Sequence, residues 1–176
     1  MKSALILMMA AAIPALAQQN FDFKLLDKLG ANAKGSTNIT LDGNLLKIAA
    51  NFIGNGEDSV KSLIRGLTGI YVRSYEFEKP GQYVEADLEP LRAYLRSRQW
   101  SKIVDVKEAS KETSEIYIQA LPNDRLGGLV VISAEAREVS VVFISGVMNA
   151  SDVAKLSGNL GIPDLPDVPN TKKSGK

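Results

Sequence analysis

Apolar residues recur along this chain with two different periods. In the first third they return every three or four residues, as on one face of a helix; later they alternate with polar residues, as on a strand. Phe21, Phe23, Leu25, Leu26, Leu29 and Ala33 fit a first helix in which Gly30 is a weak point. The polar run KGSTNIT reads as a break. Leu45, Leu46, Ile48, Ala49, Phe52 and Ile53 give a second helix a broad apolar face, and Asp42 is placed to cap its start. Asn55-Gly56 is a turn pair that ends it. Asp58 or Ser59 can cap a short third helix through Val60, Leu63 and Ile64.

From Leu67 the period becomes two. GLTGIYVRSYEF reads as the first strand, KPGQY as a turn, and Glu85 to Arg98 as an amphipathic helix. That helix turns Leu88, Leu91, Ala93, Tyr94 and Leu95 inward, with Pro90 near its start. WSKIVDVKEA, SEIYIQALP, LGGLVVISA and EVSVVFISG are four further strands. Their short polar connections imply antiparallel pairing. The expected fold is α+β, a largely antiparallel sheet of about five strands with helices packed on one face. Gly127-Gly128 suggests a bend or bulge. A short last helix is expected from Asp152 to Asn159.

The two ends differ from this middle. MKSALILMMAAAIPALA has one basic residue, an apolar run, a helix-breaking Pro14 and a small-x-small end. This is the pattern of a secretory signal cleaved between Ala17 and Gln18. The run has about half of the ~20 residues needed to span a bilayer, so no stable membrane insertion is expected after cleavage. Residues 18–160 then form one domain. In the tail, 161–176, Pro163, Pro166 and Pro169 recur at spacing three, which favours an extended, disordered segment. Leu165 and Val168 are its candidates for docking on a groove.

Composition narrows the chemistry. The chain has no Cys and no His. Disulfides, a Ser-His-Asp triad, an imidazole proton shuttle and His or Cys ligation of zinc or copper are thereby excluded. No cofactor is expected. Without residues 1–17, which hold one basic residue and no acidic one, 20 basic residues face 20 acidic ones. A net charge near zero argues against nucleic acid as a partner.

Two clusters remain as candidate sites. On the first strand Tyr71, Arg73, Tyr75 and Phe77 share one face, and Ile70, Val72, Ser74 and Glu76 the other. With Ile70 and Val72 turned to the helices, Tyr71, Arg73 and Tyr75 would form an open face suited to ligand or peptide recognition, or to simple cross-strand packing. Glu85, Asp87 and Glu89 suggest acid-base chemistry, but their place at a helix start accounts for them through the helix dipole. DGN at 42–44 lacks the alternating acidic ligands of a calcium loop. No S-x-x-K motif, dinucleotide fingerprint or phosphate loop is present. Trp100, the single Trp, opens a strand and reads as core.

Three stretches together resemble a known family: LTGIYVRSYEFEKPGQY, LRSRQWSKIVDVKE and EIYIQALPNDRLGGLVVISAEAREVSVVFISG. They are similar to the bacterial secreted proteins grouped as domain of unknown function 4252. The resemblance covers roughly Phe21 to Asp152. It implies a bacterial cell-envelope protein, with a regulatory association for some relatives, and carries no catalytic residue over. Many members are lipoproteins; this chain lacks the Cys that would be modified.

The expected function is that of an exported, periplasmic or secreted, non-enzymatic binding or regulatory module. Its partner would be an envelope protein or peptide, met at Tyr71, Arg73 and Tyr75. The alternative is a carboxylate-dependent hydrolase using Glu76 or Asp87.

Overall fold

The computed structural model describes residues 21–52, 58–107, 112–149 and 151, with backbone only for 52 and 58–60. The expected signal segment with its Ala17–Gln18 junction, the helix at 152–159 and the tail with Leu165 and Val168 lie outside the described residues.

A 3₁₀ turn, Phe23–Leu26, leads into α1 (Asp27–Asn32). Asp22 caps that turn, accepting a hydrogen bond from the Lys24 N–H at 3.0 Å. Then come β1 (Gly35–Asp42), α2 (Gly43–Phe52), α3 (Asp58–Gly66) and β2 (Leu67–Glu76). Asp42 caps α2 as its sequence suggests, Oδ1 accepting from the N–H groups of Asn44 and Leu45 at 2.9 Å. A second 3₁₀ turn, Glu85–Leu88, opens α4 (Glu89–Ser97), and Pro90 lies in the first turn of that helix, where no N–H is missed. Gln99, at φ 63°, follows the last turn of α4, and Arg98 and Trp100 N–H groups return to the Leu95 carbonyl. The rest is β3 (Ser101–Lys107), β4 (Thr113–Leu121), β5 (Arg125–Ala134) and β6 (Glu138–Asn149).

The six strands form one antiparallel sheet in the order β1-β2-β6-β5-β4-β3. An antiparallel sheet carrying helices is what the alternation predicts. The additional strand is β1, which takes up the polar run read as a break. The expected Gly127-Gly128 irregularity falls on a register shift between Leu126 and Gly128 in the β5–β6 ladder.

The expected packing of helices on one face is corrected: they divide between the two faces of the sheet. On the first, Phe21, Leu26 and Leu29 from the N-terminal segment and Leu88, Leu91 and Leu95 around α4 bury Tyr75, Phe77, Tyr117, Val130, Val141 and Phe143. Trp100 belongs to this core, as expected. On the second, Leu46 of α2 and Leu63 of α3 cover Ile116, Leu129, Val131 and Ile144. Strands β4, β5 and β6 are therefore buried on both sides, which explains their dense apolar composition.

Candidate functional site

Tyr71, Arg73 and Tyr75 do come together on one face of β2, but that face is covered. Tyr75 is 8% exposed within the first core. Tyr71 packs against Phe23 and Phe143, with centroids 5.5 and 5.8 Å away. The Arg73 guanidinium lies 4.1 Å over the Phe23 ring. It donates to the Ile39 and Val72 carbonyls at 2.8 Å and to Thr40 Oγ1 at 3.2 Å. The expectation of an open face is corrected: the N-terminal turn and α1 sit on it, because Phe21, Phe23, Leu26 and Leu29 need an apolar surface. Arg73 staples β1 to β2 and holds Phe23 down.

The carboxylates do not converge. Glu76 lies on the second face, opposite Glu138 in the ladder and beside Ser74, whose hydroxyl donates to Glu138 at 2.8 Å. Asp87 lies under the first face and caps the 3₁₀ turn by accepting the Val84 N–H at 3.0 Å. Glu89 is paired with Arg96. Glu85 reaches Arg92 at 3.3 Å and Lys107 at 3.5 Å.

Among the described residues a dense polar cluster, marked by no sequence motif, centres on Glu115. Glu115 of β4 is 1% exposed, and both its oxygens are engaged. Oε1 accepts from Arg92 Nε and Nη2 at 2.8 and 2.5 Å; Oε2 accepts from the Tyr117 hydroxyl at 2.5 Å and pairs with Lys102 at 3.1 Å. Burial alone would raise the Glu115 pKa, but hydrogen bonds from Tyr117, Arg92 and Lys102 outweigh it and hold the carboxyl below its ordinary value. Tyr117 is pushed up to about 12 by burial and by the neighbouring Glu115 charge. For Arg92 and Lys102 burial works against the charge, yet their bonds to Glu115, and for Lys102 also to Asp105, raise both pKa values. Every group is locked in one protonation state near neutrality. The cluster clamps α4 onto β3 and β4. A signal existed: Arg92 sits one turn after Leu88 and one before Leu95 on an apolar helix face, and Glu115 alternates with Ile116 in a strand apolar on both sides.

Next to this clamp lies a cleft of about 570 Å³. The Pro80–Leu88 segment forms one wall, and Lys107, Thr113, Ala134 and Ala136 form the other. The loop wall is fixed. The Tyr83 ring packs 4.9 Å from Phe77, and its hydroxyl donates to the Glu135 carbonyl. Phe77 N–H donates to the Arg137 carbonyl at 2.8 Å, and Arg137 Nε donates back to the Phe77 carbonyl at 3.3 Å. Gly81, at φ 84°, makes the turn at the tip. Burial raises the Tyr83 pKa, helped by Glu135 and Glu85, so the phenol stays neutral. Val84 projects into the mouth at 56% exposure. Pro80, Tyr83, Val84, Leu88, Ala134 and Ala136 make the lining mainly apolar; Glu85 and Lys107, paired with each other, are its charged members. Among the described residues no group of three or more acidic side chains is placed to hold a metal ion.

The model of the family described as domain of unknown function (DUF4252) matches residues 28–156. This chain belongs to the DUF4252 family. No curated protein and no solved structure matches it. The DUF4252 match runs from α1 through all six strands, so it takes in the Glu115 clamp and the whole cleft. It also contains the three stretches that carry the resemblance. No helix among the described residues is long and apolar enough to cross a membrane.

Proposed function

We propose that this DUF4252 chain is an exported, non-enzymatic binding module of a bacterial cell envelope, and that it takes an apolar side chain of a partner peptide into the cleft under the Pro80–Leu88 loop. The observation that carries the reading is the character of that cleft. It is concave, mostly apolar and walled by a loop already pinned in place, which are the properties of a preformed recognition site. The charge inside it is self-neutralised by Glu85 and Lys107. Hydrolysis by carboxylates receives no comparable support, since Glu76 and Asp87 lie on opposite faces of the sheet and Asp87 is committed to a cap. The signal-like residues 1–17 supply the argument for export.

The test has two parts. Mass spectrometry of the protein from fractionated cells should find a mature N-terminus at Gln18 in the envelope or periplasmic fraction. A cytoplasmic chain retaining Met1 sinks the export reading. A photo-crosslinking residue at Val84 should then give a discrete adduct that Ala136→Glu abolishes without changing the melting temperature, while the same probe at Ile103 on β3 gives none. Equal crosslinking from both positions, or an adduct indifferent to Ala136→Glu, overturns the cleft.

A further inference from the structure

The sheet has two edges, and they are treated differently. An open edge strand is a template for another strand, and proteins usually blunt it with charge, proline or a bulge. β3 is blunted by Lys102, Asp105 and Lys107 and by a register shift between Lys102 and Val104. β1, at the other edge, is nearly free of these devices. It pairs with β2 over eight residues without a shift, and its sequence GSTNITLD holds no proline and no charge before its final Asp42. Ile39 near its centre is 42% exposed.

The hydrogen-bond phase of β1 follows from Arg73. One guanidinium nitrogen, Nη1, donates to both the Ile39 and the Val72 carbonyl oxygens at 2.8 Å. Ile39 and Val72 are directly opposite in the ladder. Their oxygens can meet one nitrogen only if both point into the gap between β1 and β2; in the opposite phase they would lie roughly two strand spacings apart, about 9 Å. Ile39 therefore bonds to β2. Its alternates Ser36, Asn38 and Thr40 turn their N–H and C=O groups outward.

That outward row is self-complementary. Set antiparallel to itself with Asn38 opposite Asn38, it places Ser36 opposite Thr40 and brings Asp42 at each end beside Lys34, which lies just outside β1 with its N–H bonded inward to the Glu76 carbonyl at 2.8 Å. The outward-bonding residues Ser36, Asn38 and Thr40 then face one another, with Thr37 opposite Ile39 as the non-bonded pairs between them, as ladder geometry requires. Neither Lys34 nor Asp42 belongs to an ion pair among the described residues. α2, which follows β1 directly, carries the exposed apolar residues Leu45 and Ile48.

We infer that β1 is the interface of a two-fold symmetric dimer, in which a second copy of this chain joins its β1 antiparallel to the first about Asn38 and the two sheets become one. This goes beyond the cleft reading and uses a different surface. Such an isologous contact closes on itself and removes the open edge from both copies.

The full chain has no native cysteine, so single-cysteine variants report the register cleanly. Light scattering after size exclusion should give twice the monomer mass for the wild type. Asn38→Pro, which removes an outward N–H and leaves the bonds to β2 intact, should give a monomer. Asn38→Lys, which sets two like charges on the axis without touching the backbone, should do the same and covers the case in which the proline variant misfolds. Asn38→Cys should form an intermolecular disulfide under mild oxidation, and Thr37→Cys should not. A wild-type monomer at the highest soluble concentration overturns the inference; that includes a monomer whose edge takes an extended peptide instead. So does a dimer that persists in both Asn38 variants, or one crosslinked through Thr37→Cys rather than Asn38→Cys.

Discussion

Glu115 stands in a strand covered on both faces, and a lone carboxylate could not remain charged there. It is charged because four donor groups surround it. Removing its charge leaves Arg92 and Lys102 facing a neutral amide, so Glu115→Gln should destabilise the fold by about 3–5 kcal/mol, read by urea titration at pH 7. The pH dependence has a definite sign. The folded pKa is depressed, so the stabilisation is fully present above the unfolded carboxyl value of about 4.3 and is lost as pH falls through the lower folded value. Stability measured against pH should therefore drop on the acid side in the wild type, and more shallowly in Glu115→Gln. An equal acid limb in both would remove Glu115 as its source. Tyr117 acts in the other direction: its raised pKa contributes below about 10 and is lost as pH rises through about 12. Arg73 makes the smaller contribution. It loses a ring contact and three hydrogen bonds in Arg73→Ala, a change worth about 1–3 kcal/mol in the same titration. Side-chain partners are what a sequence shows least. Period-two alternation correctly grouped Tyr71, Arg73 and Tyr75, but cannot say which face an N-terminal segment four elements away will cover. For the same reason Arg92 and Glu115, distant in sequence, could not be matched as partners.

Elements were more legible, and the one missed strand shows why. β4, β5 and β6 announce themselves because alternation on two buried faces leaves long β-branched runs. β1 has mostly exposed residues on both sides of its backbone, so apolar alternation is almost absent and only Ile39 and Leu41 hint at it. Junctions between elements carry their own constraints. Gly146, at φ 135°, lies where β6 presses on the α3–β2 junction; a Cβ there would meet the Gly66 carbonyl oxygen at 2.4 Å and Leu67 Cα at 2.5 Å. Those are backbone atoms and cannot swing aside. A Cβ at Gly128 would meet the Trp100 ring at 2.6 Å, which can tilt, and only one backbone atom, the Ile144 carbonyl oxygen, at the looser 3.1 Å. Gly146→Ala should thus cost about 3 kcal/mol or more and Gly128→Ala about 1–3 kcal/mol. Thermal melts of the two variants check the order; a larger loss at Gly128 would mean the α3–β2 junction is softer than its contacts indicate.

At the scale of the whole molecule, two apolar cores share one sheet. Trp100 lies in the first core, and Leu63 in the second, on the far side of the strands. If the cores were separable, truncating Leu63 would melt α2 and α3 while Trp100 kept its environment. The strands argue against that. Val141 and Phe143 face the first core and Val142 and Ile144 the second from consecutive positions on β6, so neither core can open without the ladder between them. Leu63→Ala should therefore lower the midpoint of unfolding followed by Trp100 fluorescence by as much as Leu91→Ala does, each by the equivalent of about 2–5 kcal/mol. The circular dichroism transition should coincide with the fluorescence one in both variants, and the denaturant slope should stay that of the wild type. An unchanged fluorescence midpoint in Leu63→Ala, with an earlier loss of helical signal, would instead make α2 and α3 a separately unfolding unit laid on a self-sufficient sheet.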